Sequence, residues 1–139
     1  MTDPSAAPTP RAPQVWPSLQ AHDARALIDF YVNTFGFVAT AVYPDGDRVA
    51  HAQLDWPEGG GLMLGSHRPD AAWSRAPGTF GAYVVTADPE ALWARVRDAA
   101  GVTVVRPLTA VDYGGAEFAV ADPEGNYWSF GSYPGEPPA

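Results

Sequence analysis

The chain has 139 residues, of which 46% are hydrophobic, and a chain of this size buries about two-thirds of its unfolded surface as one globular domain. Its 16 acidic residues against 8 basic ones give a net charge of −8, which disfavours nucleic acid and anionic membranes and favours a neutral or cationic small-molecule partner. The absence of cysteine excludes disulfides, thiolate metal sites and a cysteine nucleophile, and since no apolar stretch is long enough to span a bilayer, we expect a cytoplasmic protein.

The two ends of the chain are rich in proline and small residues. Residues 1–13 and 134–139 contain too few apolar residues to offset the entropy of ordering them. We therefore expect a flexible N-terminal tail and a C-terminal tail.

The first module, residues 14–66, has the pattern of one strand, one helix and three further strands. Asp23 is placed to cap the helix, and Leu27, Tyr31 and Phe35, with Ile28 and Phe30, form its apolar stripe. Gly36 is predicted to end it. The strands after it are separated by the turns "PDGD" and "PEGGG".

The same pattern returns in residues 80–133, after a linker at 67–79. Asp88 opens the second helix, and the segments "WPEGGGLMLG" and "DPEGNYWSFG" align without a gap at a spacing of 66 residues. Self-similarity at half the chain length indicates a duplicated module rather than a solenoid. We expect an α+β fold in which two βαβββ modules form a shared concave cleft.

This double pattern, with "DARALIDFYVNTFGF" after the first strand and "VADPEGNYWSFG" near the end, resembles the vicinal oxygen chelate superfamily. The superfamily includes glyoxalase I, extradiol dioxygenases, fosfomycin-resistance enzymes and bleomycin-resistance proteins. The resemblance covers Val15 to Tyr133 and implies the glyoxalase/bleomycin resistance/dioxygenase fold. It does not choose between metal enzymes and metal-free binding proteins, because one scaffold carries both.

In the metal enzymes of this family, His or Glu ligands come from the first and fourth strands of each module. The resemblance places those four positions at Trp16, Met63, Ala82 and Ser129. Indole, thioether and methyl groups are unsuitable ligands for a hard divalent metal, and a neutral hydroxyl is a weak one. We therefore expect no metal cofactor.

Strand alternation predicts which side chains pack under the helices and which face the cleft. The first set is apolar: Leu19, Ala21, Leu54, Leu62, Leu64, Trp128 and Phe130. The second set mixes aromatic and polar groups, as small-molecule pockets do. It contains Ala82, His51 and Glu117 together with the predicted ligand-binding residues Trp16, Ser18, Gln20, Gln53, Met63, Val84, Thr86, Tyr127 and Ser129.

His51 and Glu117 occupy equivalent places in the two modules, again 66 residues apart. As candidate catalytic residues they would form an acid–base pair or part of a shifted metal site. The alternative is that each only makes a hydrogen bond to a neighbouring strand or to a ligand.

Two functions follow from these patterns. The first is a metal-free binding protein that sequesters an aromatic or cationic antibiotic or metabolite. The alternative is a glyoxalase-like lyase or isomerase, or another enzyme of the superfamily, that uses His51 and Glu117. Open sheet edges and the resemblance both favour a homodimer. No "GxSxG" or "GxGxxG" motif is present.

Overall fold

The computed structural model describes residues 12–112 and 114–139. The predicted tail at 1–13 therefore lies almost wholly outside the described residues. Neither helix of the described part has the length or the apolar character that a membrane crossing requires. The first module contains, in chain order, β1 (Ser18–Ala21), α1 (Ala24–Phe30), a π-helical turn (Tyr31–Phe35), β2 (Val38–Asp45), β3 (Arg48–Asp55) and β4 (Gly61–Ser66).

The second module repeats this order. It contains β5 (Gly81–Val85), α2 (Pro89–Val96), β6 (Thr103–Ala110), β7 (Ala116–Ala121) and β8 (Tyr127–Gly131). The strand orders of the two four-stranded sheets, β1-β4-β3-β2 and β5-β8-β7-β6, are equivalent. In each sheet the first strand pairs in parallel with the last, and the other pairs are antiparallel. The predicted α+β fold of two βαβββ modules is confirmed.

Both helices begin where the sequence predicts, and the first also ends there. The carboxylate of Asp23 accepts a hydrogen bond from the backbone of Ala26 at 3.1 Å, and Asp88 does the same for Ala91 at 3.0 Å. At the end of the first helix, the N–H groups of Gly36 and Phe37 both donate to the carbonyl of Tyr31. This widens the last turn into a π-helical one, and Gly36 closes it at a φ of 97° that favours glycine.

One hydrophobic core joins the two modules. Tyr31 and Phe35, from the first module, pack on Trp128 with ring centroids 5.0 and 5.4 Å apart. Phe35 also lies 4.9 Å from Phe130. Every strand residue predicted to pack under the helices is buried in this core. Because both sheets turn their buried faces toward the same helices, their opposite faces, which we call the open faces, point away from each other.

The register of β5 corrects one part of the predicted cleft lining. Ala82 pairs with Trp128 and Val84 with Phe130, so both side chains share the buried face of the sheet and pack against the core. Tyr83 and Val85 take the open face instead. The prediction that placed Ala82, Val84 and Thr86 on the open face is wrong; Thr86 is 5% exposed.

Two acidic turns hold the modules together reciprocally. Glu124, in the β7–β8 turn, accepts hydrogen bonds from the backbone N–H groups of His22 at 2.7 Å and Asp23 at 3.0 Å. Glu58, at the equivalent place in the β3–β4 turn, accepts one from Ala87 at 2.7 Å. Each module thus uses its last hairpin to bind the segment that leads into the other module's helix.

Candidate functional site

The open face of the first sheet carries a mixture of apolar and polar side chains. Ser18 and Gln53 both pair with Met63 across neighbouring strands, so these three side chains lie together on this face. Trp16 lies just before β1, half-buried, and its Nε1–H donates to the carbonyl of Pro13 at 3.1 Å.

Two side chains at one end of this face are joined by a hydrogen bond. Gln53 donates from Nε2 to the Asp55 carboxylate at 3.1 Å, and that carboxylate also accepts a hydrogen bond from the hydroxyl of Thr40. The face therefore presents a fixed acceptor beside Gln53 rather than a freely rotating acid.

His51 lies toward the far end of the same face. Its imidazole is stacked on the ring of Tyr43, with centroids 6.0 Å apart and an interplanar angle of 21°. Tyr43 is 58% exposed, so the pair forms a flat surface that is accessible to solvent. Such a surface suits stacking on another ring.

The open face of the second sheet carries two half-exposed tyrosines. Tyr83 and Tyr127 are 43% and 46% exposed, and register places Ser129 directly beside Tyr83. The hydroxyl of Tyr83 donates to the carbonyl of Tyr133 at 2.9 Å, which fixes the ring across this face. Partial burial raises the pKa of Tyr83, with the neighbouring carboxylate of Glu117 acting in the same direction.

Glu117 shares this face and forms an ion pair with Arg106 of the adjacent strand. In a single chain, Glu117 and His51 lie on the open faces of different sheets, and these faces point away from each other. The structure of one chain therefore keeps the two candidate catalytic residues apart, although they occupy equivalent places in their modules.

The residues present do not fit the metal site that the fold family implies. Met63 and Ser129 lie on open faces. Ala82 lies on the buried face of its sheet, and the residues beside it on the open face are Gly81 and Tyr83. Trp16, Met63, Tyr83 and Ser129 together offer one phenol and one hydroxyl, which is a poor donor set for a divalent cation. Within residues 12–112 and 114–139 no three His, Asp or Glu side chains are grouped as metal ligands.

Four of the predicted ligand-binding residues line cavities between the modules. Val84 and Thr86 line a cavity of about 590 Å³. Ser18 and Gln20 line a smaller one of about 260 Å³. Gln20 is 6% exposed; its Oε1 accepts from the backbone of Arg68 and Arg75, and its Nε2 has no partner among the described residues.

Four residues of these surfaces were not predicted from the sequence. Tyr83 takes the place predicted for Ala82, Tyr43 stacks on His51, and Arg106 neutralises Glu117. Glu58 joins the modules. For Glu58 a signal was present, because the Pro-Glu-Gly turn is repeated at 66 residues in the two modules.

The fold is a scaffold of two equivalent βαβββ modules, each with one buried and one open sheet face. The sequence profile of the Glyoxalase/Bleomycin resistance protein/Dioxygenase superfamily matches residues 14–130. The chain belongs to this superfamily.

Solved structures and curated relatives agree with that membership. TioX from Micromonospora sp. ML1 is 27% identical, with a TM-score of 0.69 over 82% of this chain and 93% of that one. A glyoxalase/bleomycin resistance protein from Streptomyces sp. CB03234 is 26% identical, with a TM-score of 0.65 over 81% and 94%. An uncharacterized protein of Mycobacterium bovis is 34% identical in an alignment of 127 positions that covers 86% of this chain and 82% of that protein.

Proposed function

We propose that the protein binds and sequesters a flat, neutral or cationic small molecule on its open sheet faces, in the cytoplasm and without a metal. The observation that carries this proposal is the pair of half-exposed rings, Tyr83 and Tyr127, on one face with Ser129 and Glu117. Aromatic surface with a few polar groups is the usual chemistry of small-molecule sites. The net charge of −8 favours the approach of a cation.

A homodimer completes the proposed site. The two open faces of one chain point away from each other, so a cleft with both kinds of face needs a second copy of the chain. Pairing the first sheet of one protomer with the second sheet of its partner would produce two equivalent clefts. Each cleft would then have Trp16 and Met63 on one wall and Tyr83 and Tyr127 on the other.

Membership of a superfamily with bleomycin-resistance proteins supports an antibiotic or a related metabolite as the ligand. The Streptomyces structure, described as a glyoxalase/bleomycin resistance protein, supports the same class of ligand. The residues of the cleft narrow the class to compounds with a flat ring and no strong negative charge, because the carboxylate of Asp55 lies on one wall and the chain as a whole carries a charge of −8.

The enzyme alternative requires His51 and Glu117 to act on one substrate. Within one chain the two residues are apart, and Glu117 forms an ion pair with Arg106. A dimer of the proposed kind would bring His51 of one protomer and Glu117 of the other into every cleft. The His51→Asn variant separates the two functions, because loss of turnover with retained binding would identify an acid–base role for His51.

Native mass spectrometry of untagged protein, purified without chelator, tests the proposed function directly. A dimer that carries a small organic mass and no metal supports it, and the Tyr127→Ala variant should lose that mass. A stoichiometric divalent metal on each chain contradicts the metal-free site. A monomer contradicts the cleft between two chains.

A further inference from the structure

A cavity lies between the two modules; Met63, Ser129, His51 and Glu117 do not line it, although Tyr83 and Val85 of the second sheet's open face do. Its volume of about 590 Å³ is within the range of about 300–1,000 Å³ that is typical of sites for drug-sized ligands. Its walls come from both modules, since Pro17 and Leu62 belong to the first and Ala82 and Val84 to the second.

Aromatic rings form a continuous part of this wall. Phe37 contacts Trp56 and Trp128, with ring centroids 5.0 and 5.7 Å apart. Trp128 in turn lies 5.6 Å from Phe80. The Nε1–H of Trp56 donates to the carbonyl of Val85 at 2.9 Å. These contacts fix the rings, so the apolar wall exists before any ligand binds.

The charge at this cavity has one sign. Among the described residues that line it, Glu58 is the only charged one. One of its carboxylate oxygens accepts from Ala87 at 2.7 Å, and the other has no partner among the described residues. A ligand with an ammonium or N–H group can therefore make a charge-assisted hydrogen bond at the rim while its rings lie against the aromatic wall.

We infer that this inter-module cavity is a second ligand site, which takes a planar aromatic cation or a neutral aromatic compound with an N–H donor. The site is built within one chain; it shares Tyr83 and Val85 with the open face of the second sheet, but it does not need the pairing of two protomers on which the proposed cleft depends. Its ring-lined interior selects for flat apolar surface, and Glu58 selects against anions.

Binding of two probes of the same ring size but opposite charge tests this inference. The cation 9-aminoacridine should shift the indole N–H resonance of Trp56 in NMR spectra, assigned with Trp56→Phe, and this resonance reports on the cavity alone because Trp56 lines it. The anion anthracene-9-carboxylate should bind about tenfold more weakly, since it loses the attraction of Glu58 and gains a repulsion. Equal affinity for the two probes would contradict the assigned role of Glu58.

Two variants locate the binding. Val84→Trp places a larger side chain in the cavity and should weaken 9-aminoacridine binding more than about tenfold. Glu58→Gln keeps an oxygen acceptor for Ala87 but removes the charge, and should weaken the cation about threefold without weakening the anion. If circular dichroism shows that Val84→Trp does not fold, Glu58→Gln tests the site alone: an unchanged affinity for the cation would contradict the inference.

A control variant separates this site from the open faces. Tyr127→Ala changes the open face of the second sheet and should leave the 9-aminoacridine-induced shift of the Trp56 resonance unchanged, because Tyr127 does not line the cavity. If Tyr127→Ala abolishes that shift, or Val84→Trp folds and leaves it intact, the shift comes from a probe on the open faces and the inference is wrong. If the purified dimer carries no organic mass but the probe still binds as expected, the proposed function fails and this site remains.

Discussion

The phenol of Tyr31 donates a 2.6 Å hydrogen bond to the carboxylate of Asp122, 91 residues later in the chain. The same carboxylate accepts from the indole of Trp128 at 3.1 Å and from the side chain of Asn126 at 3.0 Å. Asp122 is 4% exposed. A buried carboxylate is tolerated because several donors surround it, and this one joins the first helix to the β7–β8 turn.

Replacing this buried acid should be costly. In Asp122→Ala the groups of Tyr31, Trp128 and Asn126 that donate to it lose their acceptor inside the core, and we expect the free energy of unfolding to fall by about 3 kcal/mol or more. Urea unfolding measures the loss. Asp98→Ala is the matched control, because Asp98 is 87% exposed, and it should change the stability by less than about 0.5 kcal/mol. Equal effects of the two variants would show that the network adds no stability.

The same contact predicts a loss of stability at alkaline pH. Burial, and then the negative charge of Asp122, raise the pKa of Tyr31 far above its ordinary value. A group whose pKa is raised in the folded state keeps its full contribution below the unfolded pKa, near 10, and loses it as the pH rises above that value.

The variant Tyr31→Phe isolates this titration. We expect wild-type stability to decline more steeply than that of Tyr31→Phe between about pH 10 and 11, measured by urea unfolding at each pH. At pH 7 the variant should be less stable by about 1.5–3 kcal/mol, the usual range for a hydrogen bond to a charged group. Parallel declines above pH 10 would show that Tyr31 is not the group responsible.

The reciprocal acidic turns should couple the unfolding of the two modules. Glu124→Ala removes the acceptor for His22 and Asp23, and Glu58→Ala removes the acceptor for Ala87. Each change should cost about 1 kcal/mol. We also expect amide exchange at His22 and Asp23 to accelerate in Glu124→Ala and not in Glu58→Ala. Acceleration of both sites in both variants would instead indicate a general loosening of the core.

Trp16 gives a test of the open-face site that is separate from stability. If it forms a wall of the ligand cleft, Trp16→Ala should remove the copurified organic mass and the ligand-induced change in fluorescence. Because Trp16 is only half-buried, the melting temperature should fall by no more than about 4 °C. A much larger fall, measured by thermal unfolding, would place Trp16 in the core rather than in the site.

Most of the fold could be predicted because the local signals agree with each other. Asp23 and Asp88 occur just before helical patterns, and Leu54, Leu62 and Leu64 alternate with residues that are only half-buried, so the sequence predicted both the helix caps and the buried strand faces. The gap-free repeat then indicated two equivalent modules.

The second module's first strand could not be assigned in the same way. Ala82, Tyr83, Val84 and Val85 are all apolar or aromatic, so no alternation indicates which face is buried. A shift of one residue exchanges the faces, and the parallel pairing with β8, which fixes the register, is a long-range contact. The relative orientation of the two open faces could not be predicted either, because it depends on how the two modules pack through Tyr31 and Phe35.

The indole of Trp56 occupies a backbone carbonyl on the outer edge of the second sheet. Backbone groups of Phe80 and Thr86 bond to β8, and since carbonyls alternate in direction along a strand, the carbonyl of Val85 points away from β8. Trp56 binds that carbonyl. An unpaired edge is where a foreign strand adds to a sheet and aggregation begins, so a side chain of the first module shields the end of the exposed edge in the second.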